Sequence, residues 1–272
     1  MRQEPEWEDR PDSAGEQFTP EEELAPDGAG RYHLWLRLAA FITVLGFTAM
    51  VALPVWQAFK ARVPPGELVV DSLRLKEQID RELLAAVARI QVTTSEFEPA
   101  GAAGQRSGTG FNVSGDGVVI TNYHVVEDAR SITITFPGGE NYKARSWVSA
   151  PEYDLAVIKL EKTGLPAVSL NPGILPQPGD TLMVIGNPLG LNQLVVEGTL
   201  RDYVMVKDMS AALLCIDAPI FPGNSGSPVF NGEGQVVAVV FASLRQDEEG
   251  KQKYYGLAVP IKEVLRLLEN SR

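Results

Sequence analysis

The stretch Gly223-Asn224-Ser225-Gly226-Ser227-Pro228 (GNSGSP) lies between an apolar run, LLCIDAPI at 213–220, and a short strand-like PVF at 228–230. A serine that performs acyl transfer needs this layout. Its hydroxyl must stand clear on a tight loop, and neighbouring backbone N–H groups must be free to point at a developing oxyanion. Glycine lets the chain turn there without a Cβ in the way. The same composition also makes an ordinary turn between strands. The nucleophile reading of Ser225 therefore depends on what the rest of the chain supplies.

A serine nucleophile needs a base, and the base needs an orienting carboxylate. The chain has two histidines. His33 borders an apolar segment and is poorly placed for chemistry. His124, in VVITNYHVV, falls just past a β-branched run at 118–121, where loops carry functional groups. A buried histidine satisfied by a backbone carbonyl is the alternative. Asp154 opens the apolar pattern DLAVIKL, where an aspartate can equally be a turn or capping residue. The three residues each sit at a strand edge. Their order, His, Asp, Ser, is that of chymotrypsin-type enzymes and not of subtilisins or α/β-hydrolases. The one cysteine, Cys215, excludes an intramolecular disulfide, lies in the apolar run LLCI and reads as a small packed hydrophobe. As a nucleophile it has no histidine near it in sequence.

Five stretches in order carry a family resemblance: SGTGFNVSGDGVVITNYHVV (107–126), YDLAVIKL (153–160), GDTLMVIGNPLGL (179–191), DAPIFPGNSGSPVFNGEGQVVAV (217–239) and YYGLAVPIKEV (254–264). Over residues 88–267 the chain resembles the HtrA/Deg-type proteases, chymotrypsin-fold serine proteases of bacterial envelopes and organelles. The resemblance implies a triad of His124, Asp154 and Ser225 and an oxyanion hole from the N–H groups of Gly223 and Ser225. It also implies unfolded or misfolded envelope polypeptides as substrates and a homotrimer built through the N-terminal region. Counted back from Ser225, the primary pocket has its base near Pro219 and Ile220 and its wall at Val240, Phe241 and Ala242. No acidic residue lies there, which favours cleavage after small or medium aliphatic residues. Two departures from the family are expected: Ser227 stands where the common pattern has a second glycine, and the stretch up to Arg272 predicts no PDZ domain after the protease. A chaperone-like binder or sensor that keeps the fold without cutting is the competing reading.

From residue 88 onward, short apolar or alternating runs recur at 88–92, 108–113, 118–121, 131–136, 143–148, 155–160, 181–185, 195–203, 212–216, 228–230, 235–241 and 254–259, separated by SGDG, PGGE and NGEG turns. A dozen short strands favour paired antiparallel barrels or a sandwich. With the resemblance, the expectation is an all-β, chymotrypsin-like pair of six-stranded barrels. The first would span 88–170 with His124 and Asp154. The second would span 178–260 with Ser225. The Pro/Gly-rich 171–180 forms the seam, a helix at 261–270 closes the chain, and segments 201–211 and 243–254 read as loops available for regulation.

The chain has 272 residues and a formal charge of −11. Ten acidic residues against two arginines lie in the first 30, so most of that charge is in one tail. Its prolines and scarce apolar groups predict a disordered segment. Residues 38–59 carry no charge for 22 positions, enough for a helix across a bilayer core of about 30 Å. Residues 31–62 thus read as a single-pass membrane anchor, not a cleaved signal peptide, with a cytoplasmic N-terminus and an extracytoplasmic protease. Residues 63–87 read as a helical stalk, with Asp71 as N-cap and Leu73, Ile79, Leu83 and Val87, flanked by Leu75 and Leu84, on one face. No metal or other cofactor is expected. Two histidines and one cysteine make no Cys/His zinc set, GNPLGL lacks the lysine of a phosphate loop, and no basic stripe fits nucleic acid.

Overall fold

A computed structural model of the chain describes residues 66–97, 103–173, 175–207, 209–248 and 251–270. The acidic tail and the apolar segment 38–59 lie outside them. No helix among the described residues is long and apolar enough to cross a membrane.

Twelve strands form two closed barrels, each of six antiparallel strands. The first contains β1 (Val87–Phe97), β2 (Ala103–Asn112), β3 (Val118–Thr121), β4 (Ala129–Thr135), β5 (Asn141–Ala150) and β6 (Leu155–Leu160), in the order β1-β2-β3-β6-β5-β4. The second contains β7 (Thr181–Gly186), β8 (Leu194–Val204), β9 (Leu213–Asp217), β10 (Pro228–Phe230), β11 (Val236–Glu248) and β12 (Lys251–Pro260), in the order β10-β11-β12-β9-β8-β7. Closure removes the unpaired edges that would otherwise template association. This is the chymotrypsin-like architecture.

The side-chain alternation of the strands explains why two barrels pack as one body. On β1, Ala88, Ile90 and Val92 fill the first barrel, together with Val119 of β3 and Ala156 and Ile158 of β6. The intervening residues, Val87, Ile120, Leu155 and Val157, point the other way and join Ile185, Val195, Phe230 and Val239 of the second barrel. Leu182, Val184, Val229 and Val240 fill the second barrel itself. Strands buried on both faces read as near-continuous apolar runs, as LAVIKL and QVVAVV do.

Three expectations need correction. The stalk is two helices, α1 (Gly66–Gln78) and α2 (Arg81–Ala86), and Asp71 lies inside the first. The capping aspartate is Asp80, whose carboxylate accepts from Glu82 N–H at 2.9 Å. The break at Ile79–Asp80 resets the helical phase, so Leu73 is 57% exposed while Leu75, Ile79, Leu83 and Leu84 pack on the core. Buried Ser72 on α1 accepts from Val195 N–H at 2.8 Å and docks the helix across β8. Finally, 243–254 contains no long loop. β11 and β12 continue as a paired ribbon through Leu244↔Tyr255 to Glu248↔Lys251. Beyond Leu244 and Tyr255 it pairs Arg245, Gln246, Asp247 and Glu248 with Tyr254, Lys253, Gln252 and Lys251, so apolar periodicity could not extend the strands that far. The closing helix, α4 (Ile261–Asn270), follows β12 directly and buries Ile261 and Val264 between the barrels.

Candidate active site

Asp154 is 6% exposed and sits in the left-handed region, φ 50°, between the 3-10 turn Pro151–Tyr153 and the start of β6. That conformation turns both its carbonyl and its carboxylate toward the one-turn helix α3 (Tyr123–Val126). The carbonyl accepts from Tyr123 N–H at 3.1 Å and from the Asn122 side-chain amide at 2.9 Å. Oδ1 accepts from His124 N–H at 2.8 Å. Oδ2 lies 2.6 Å from His124 Nδ1. A carboxylate offers only acceptors, so the proton of this last bond is on Nδ1, and in the neutral imidazole Nε2 keeps its lone pair. Arg106 Nη1 donates to His124 C=O at 3.2 Å and to Glu127 C=O at 3.3 Å, gripping the other end of α3. The imidazole is 44% exposed. It is held from behind and open in front.

Ser225 lies on the loop between β9 and β10. This loop is tightly bonded. Asn224 N–H donates to Phe221 C=O at 3.0 Å, Gly226 N–H to Val240 C=O at 2.9 Å, and Ser227 N–H to Asn224 C=O at 2.9 Å. The N–H groups of Gly223 and Ser225 have no acceptor among the described residues. Gly223 and Gly226 both have left-handed φ, 98° and 83°. At Gly226 a Cβ would run into Thr109 C=O and the Thr121 hydroxyl, so the loop presses directly on the first barrel.

The histidine turn and the serine loop meet over Gly108. Val125, next to His124, and the carbonyl oxygen of Ser225 lie 2.9 and 3.2 Å from where a Gly108 Cβ would be. Two segments that lie far apart in sequence, at Val125 and Ser225, are thereby stacked on one glycine of β2. Of the expected pocket residues, Val240 has its side chain in the barrel interior, and its backbone braces the serine loop: Val240 N–H donates to Ser227 C=O at 2.8 Å. Ile220 is buried against Gly256 of β12, 2.7 Å from that residue's Cβ position. Phe241 and Ala242 are half-buried. Cys215 is buried in β9, and burial pushes its thiol above the usual range, the opposite of an activated nucleophile. His33 lies outside the described residues. No group of three or more metal-ligating side chains occurs among the described residues.

Thr109 and Asn187 escaped the reading of the sequence. Both bond to the serine loop or to its support, as described below, but a threonine within a strand and an asparagine after one are ordinary β and turn residues.

Residues 108–239 match the trypsin-like peptidase domain family. HhoB of Synechocystis sp., named as a serine protease, is 37% identical over 172 residues, covering 61% of this chain and 40% of that protein. A Chlamydia muridarum protein named as a DegP-like periplasmic serine endoprotease is 40% identical over 158 residues, 57% of this chain and 31% of that protein. The chain spans less than half the length of these curated relatives. Among solved structures, a serine endoprotease from Yersinia pestis superposes with a TM-score of 0.58 at 29% identity, over 70% of this chain and 64% of that one. The HtrA-type protease AlgW with a tripeptide also gives 0.58, at 26% identity, over 70% and 62%.

Proposed function

We propose that this chain, similar through its two barrels to HtrA/DegP-type trypsin-like proteases, is a serine endopeptidase that hydrolyses polypeptides through an acyl-enzyme on Ser225. The observation that carries the reading is the Asp154–His124 pair: a buried carboxylate bonded to both the main chain and Nδ1 of a histidine that faces outward.

In the proposed reaction Ser225 Oγ attacks the scissile carbonyl and passes its proton to His124 Nε2. Asp154 holds the ring in the tautomer that can accept this proton and stabilises the imidazolium. The N–H groups of Gly223 and Ser225 receive the oxyanion, each worth roughly 3–4 kcal/mol in acyl-transfer sites. The C–N bond breaks as His124 returns its proton to the leaving amine. Water then repeats the sequence on the acyl-enzyme, and the carboxylic acid product leaves.

Substrate choice follows from the apolar surroundings of the loop. Ile220 pressed on Gly256 limits depth, and the described pocket residues Ile220, Val240, Phe241 and Ala242 include no carboxylate to pair with a basic side chain, so cleavage falls after small or medium aliphatic residues. Such residues are exposed mainly in unfolded chains. The names of the periplasmic relatives favour an extracytoplasmic protease, tethered through residues 38–59 with the acidic tail in the cytoplasm. Assembly as a homotrimer is carried by the resemblance alone, and sedimentation of the detergent-solubilised chain measures it.

The test is cleavage of an unfolded protein such as reduced casein, with a fluorophosphonate probe in parallel, by wild type and Ser225→Ala. Both signals should vanish in the mutant while its circular dichroism is unchanged. Equal cleavage by the two proteins would overturn the assignment, and a product profile dominated by cleavage after arginine would overturn the pocket.

A further inference from the structure

The serine loop is clamped from outside its own barrel by a single residue. Thr109, on β2, is fully buried, and all of its polar groups are committed. Its N–H donates to Ser225 C=O at 2.9 Å. Its hydroxyl donates to Gly223 C=O at 2.7 Å and accepts from Asn187 N–H at 2.9 Å. Its C=O accepts from the Thr121 hydroxyl at 2.8 Å. The direction of the two hydroxyl bonds is not free to reverse. Asn187 N–H can only donate, so the hydroxyl proton goes to Gly223 C=O.

We propose that Thr109 is a positioning residue of the oxyanion hole. The inference rests on the reading of Gly223 and Ser225 as the oxyanion donors. Peptide units are planar, so fixing the carbonyls of Gly223 and Ser225 fixes the planes that flank Asn224 and Ser225. The Ser225 N–H lies in the one plane between them. With the Asn224, Gly226 and Ser227 N–H groups bonded within the second barrel, those of Gly223 and Ser225 are left to converge on a substrate oxygen. The Thr109 hydroxyl thus supplies preorganisation from a distance. It touches no reacting atom.

The clamp is itself braced. Asn187 Oδ1 accepts from Gln193 N–H at 3.1 Å, and the Gln193 side-chain amide donates to Leu84 C=O of α2. Arg89 of β1 donates to Gly190 C=O and Asn192 Oδ1, both at 2.7 Å, and Lys76 of α1 to Asn192 C=O at 3.1 Å. The segment that presents the Asn187 N–H to Thr109 is therefore tied to α1, α2 and β1.

Thr109→Val keeps the shape and removes the hydroxyl, while Thr109→Ser keeps the hydroxyl. In the full chain, Thr109→Val should lower kcat roughly 10- to 100-fold, short of the loss of a whole oxyanion donor, with KM within about 2-fold. Affinity for a peptide boronate should fall by the same factor as kcat/KM, and Thr109→Ser should restore kcat to within about 3-fold of wild type. Amide hydrogen exchange at 222–227 should speed up in Thr109→Val and not in Thr109→Ser. Should the valine variant not fold, Thr109→Cys, with its weaker donor, should fall between serine and wild type on one side and inactivity on the other. An unchanged kcat in Thr109→Val, a loss in KM instead of kcat, or a Thr109→Ser variant as slow as Thr109→Val would overturn the role. Exchange at 222–227 reads the clamp without any catalysis. A wild type that neither cleaves nor labels with fluorophosphonate therefore counts against the peptidase reading alone, whereas exchange unchanged in Thr109→Val counts against the clamp alone.

Discussion

At the scale of the residue, Asp154 is the most constrained position in the site. Its carbonyl and both carboxylate oxygens serve four donors from 122–124. Asp154→Asn would put an NH2 group against either His124 N–H or Nδ1. The first arrangement sets donor against donor. The second forces the proton onto Nε2, which can then no longer accept from serine. We expect kcat to fall about 10⁴-fold, the size of the wrong-tautomer effect in the Ser-His-Asp template, with near-native circular dichroism. Gly226 is constrained differently. Its left-handed φ and the contact with Thr109 C=O and Thr121 leave no room for a methyl group. Gly226→Ala should cost about 2 kcal/mol or more in thermal unfolding, from φ strain and overpacking together. The sequence could propose His124, Asp154 and Ser225 because chemistry-bearing residue types stand at strand ends in a recognisable order. Thr109 was not legible, because its bonds are made across 78 and 114 positions of sequence by a residue type that any strand can carry.

At the scale of the element, short apolar or alternating runs located all twelve strands, because the inward positions of most of them are aliphatic. This signal failed where burial stops. The outer half of the β11–β12 ribbon, Arg245↔Tyr254 and beyond, pairs through backbone bonds that need no apolar side chains. Replacing 245–254 by a two-residue turn should therefore move the thermal midpoint by less than about 4 °C, equivalent to 1 kcal/mol or less in a domain of this size. α4 behaves oppositely. Ile261 is 2% exposed and belongs to the cluster between the barrels, so Ile261→Ala should cost about 2–5 kcal/mol by the usual cavity and transfer terms, read as a lower urea midpoint with an unchanged m-value.

At the scale of the molecule, the two barrels share one apolar cluster and should unfold together. Cys215 reports on this. Its side chain is part of that cluster, and burial both shields the thiol and raises its pKa, so less thiolate is present at any given pH than in the unfolded chain. At pH 8 the native protein should resist a disulfide reagent, and labelling against urea should follow the same curve as circular dichroism. Rapid labelling of the native chain would mean that the second barrel opens on its own. The division of the proposed site between the barrels has one more consequence, which lies at Gly108. The proposed base and nucleophile belong to different barrels, and the layers carrying them are stacked there with a hydrogen atom as the spacer. That hydrogen is a gauge of distance. A methyl group in its place would act as a shim, lifting the serine loop off the histidine turn by a few tenths of an ångström without altering a single group that takes part in the chemistry.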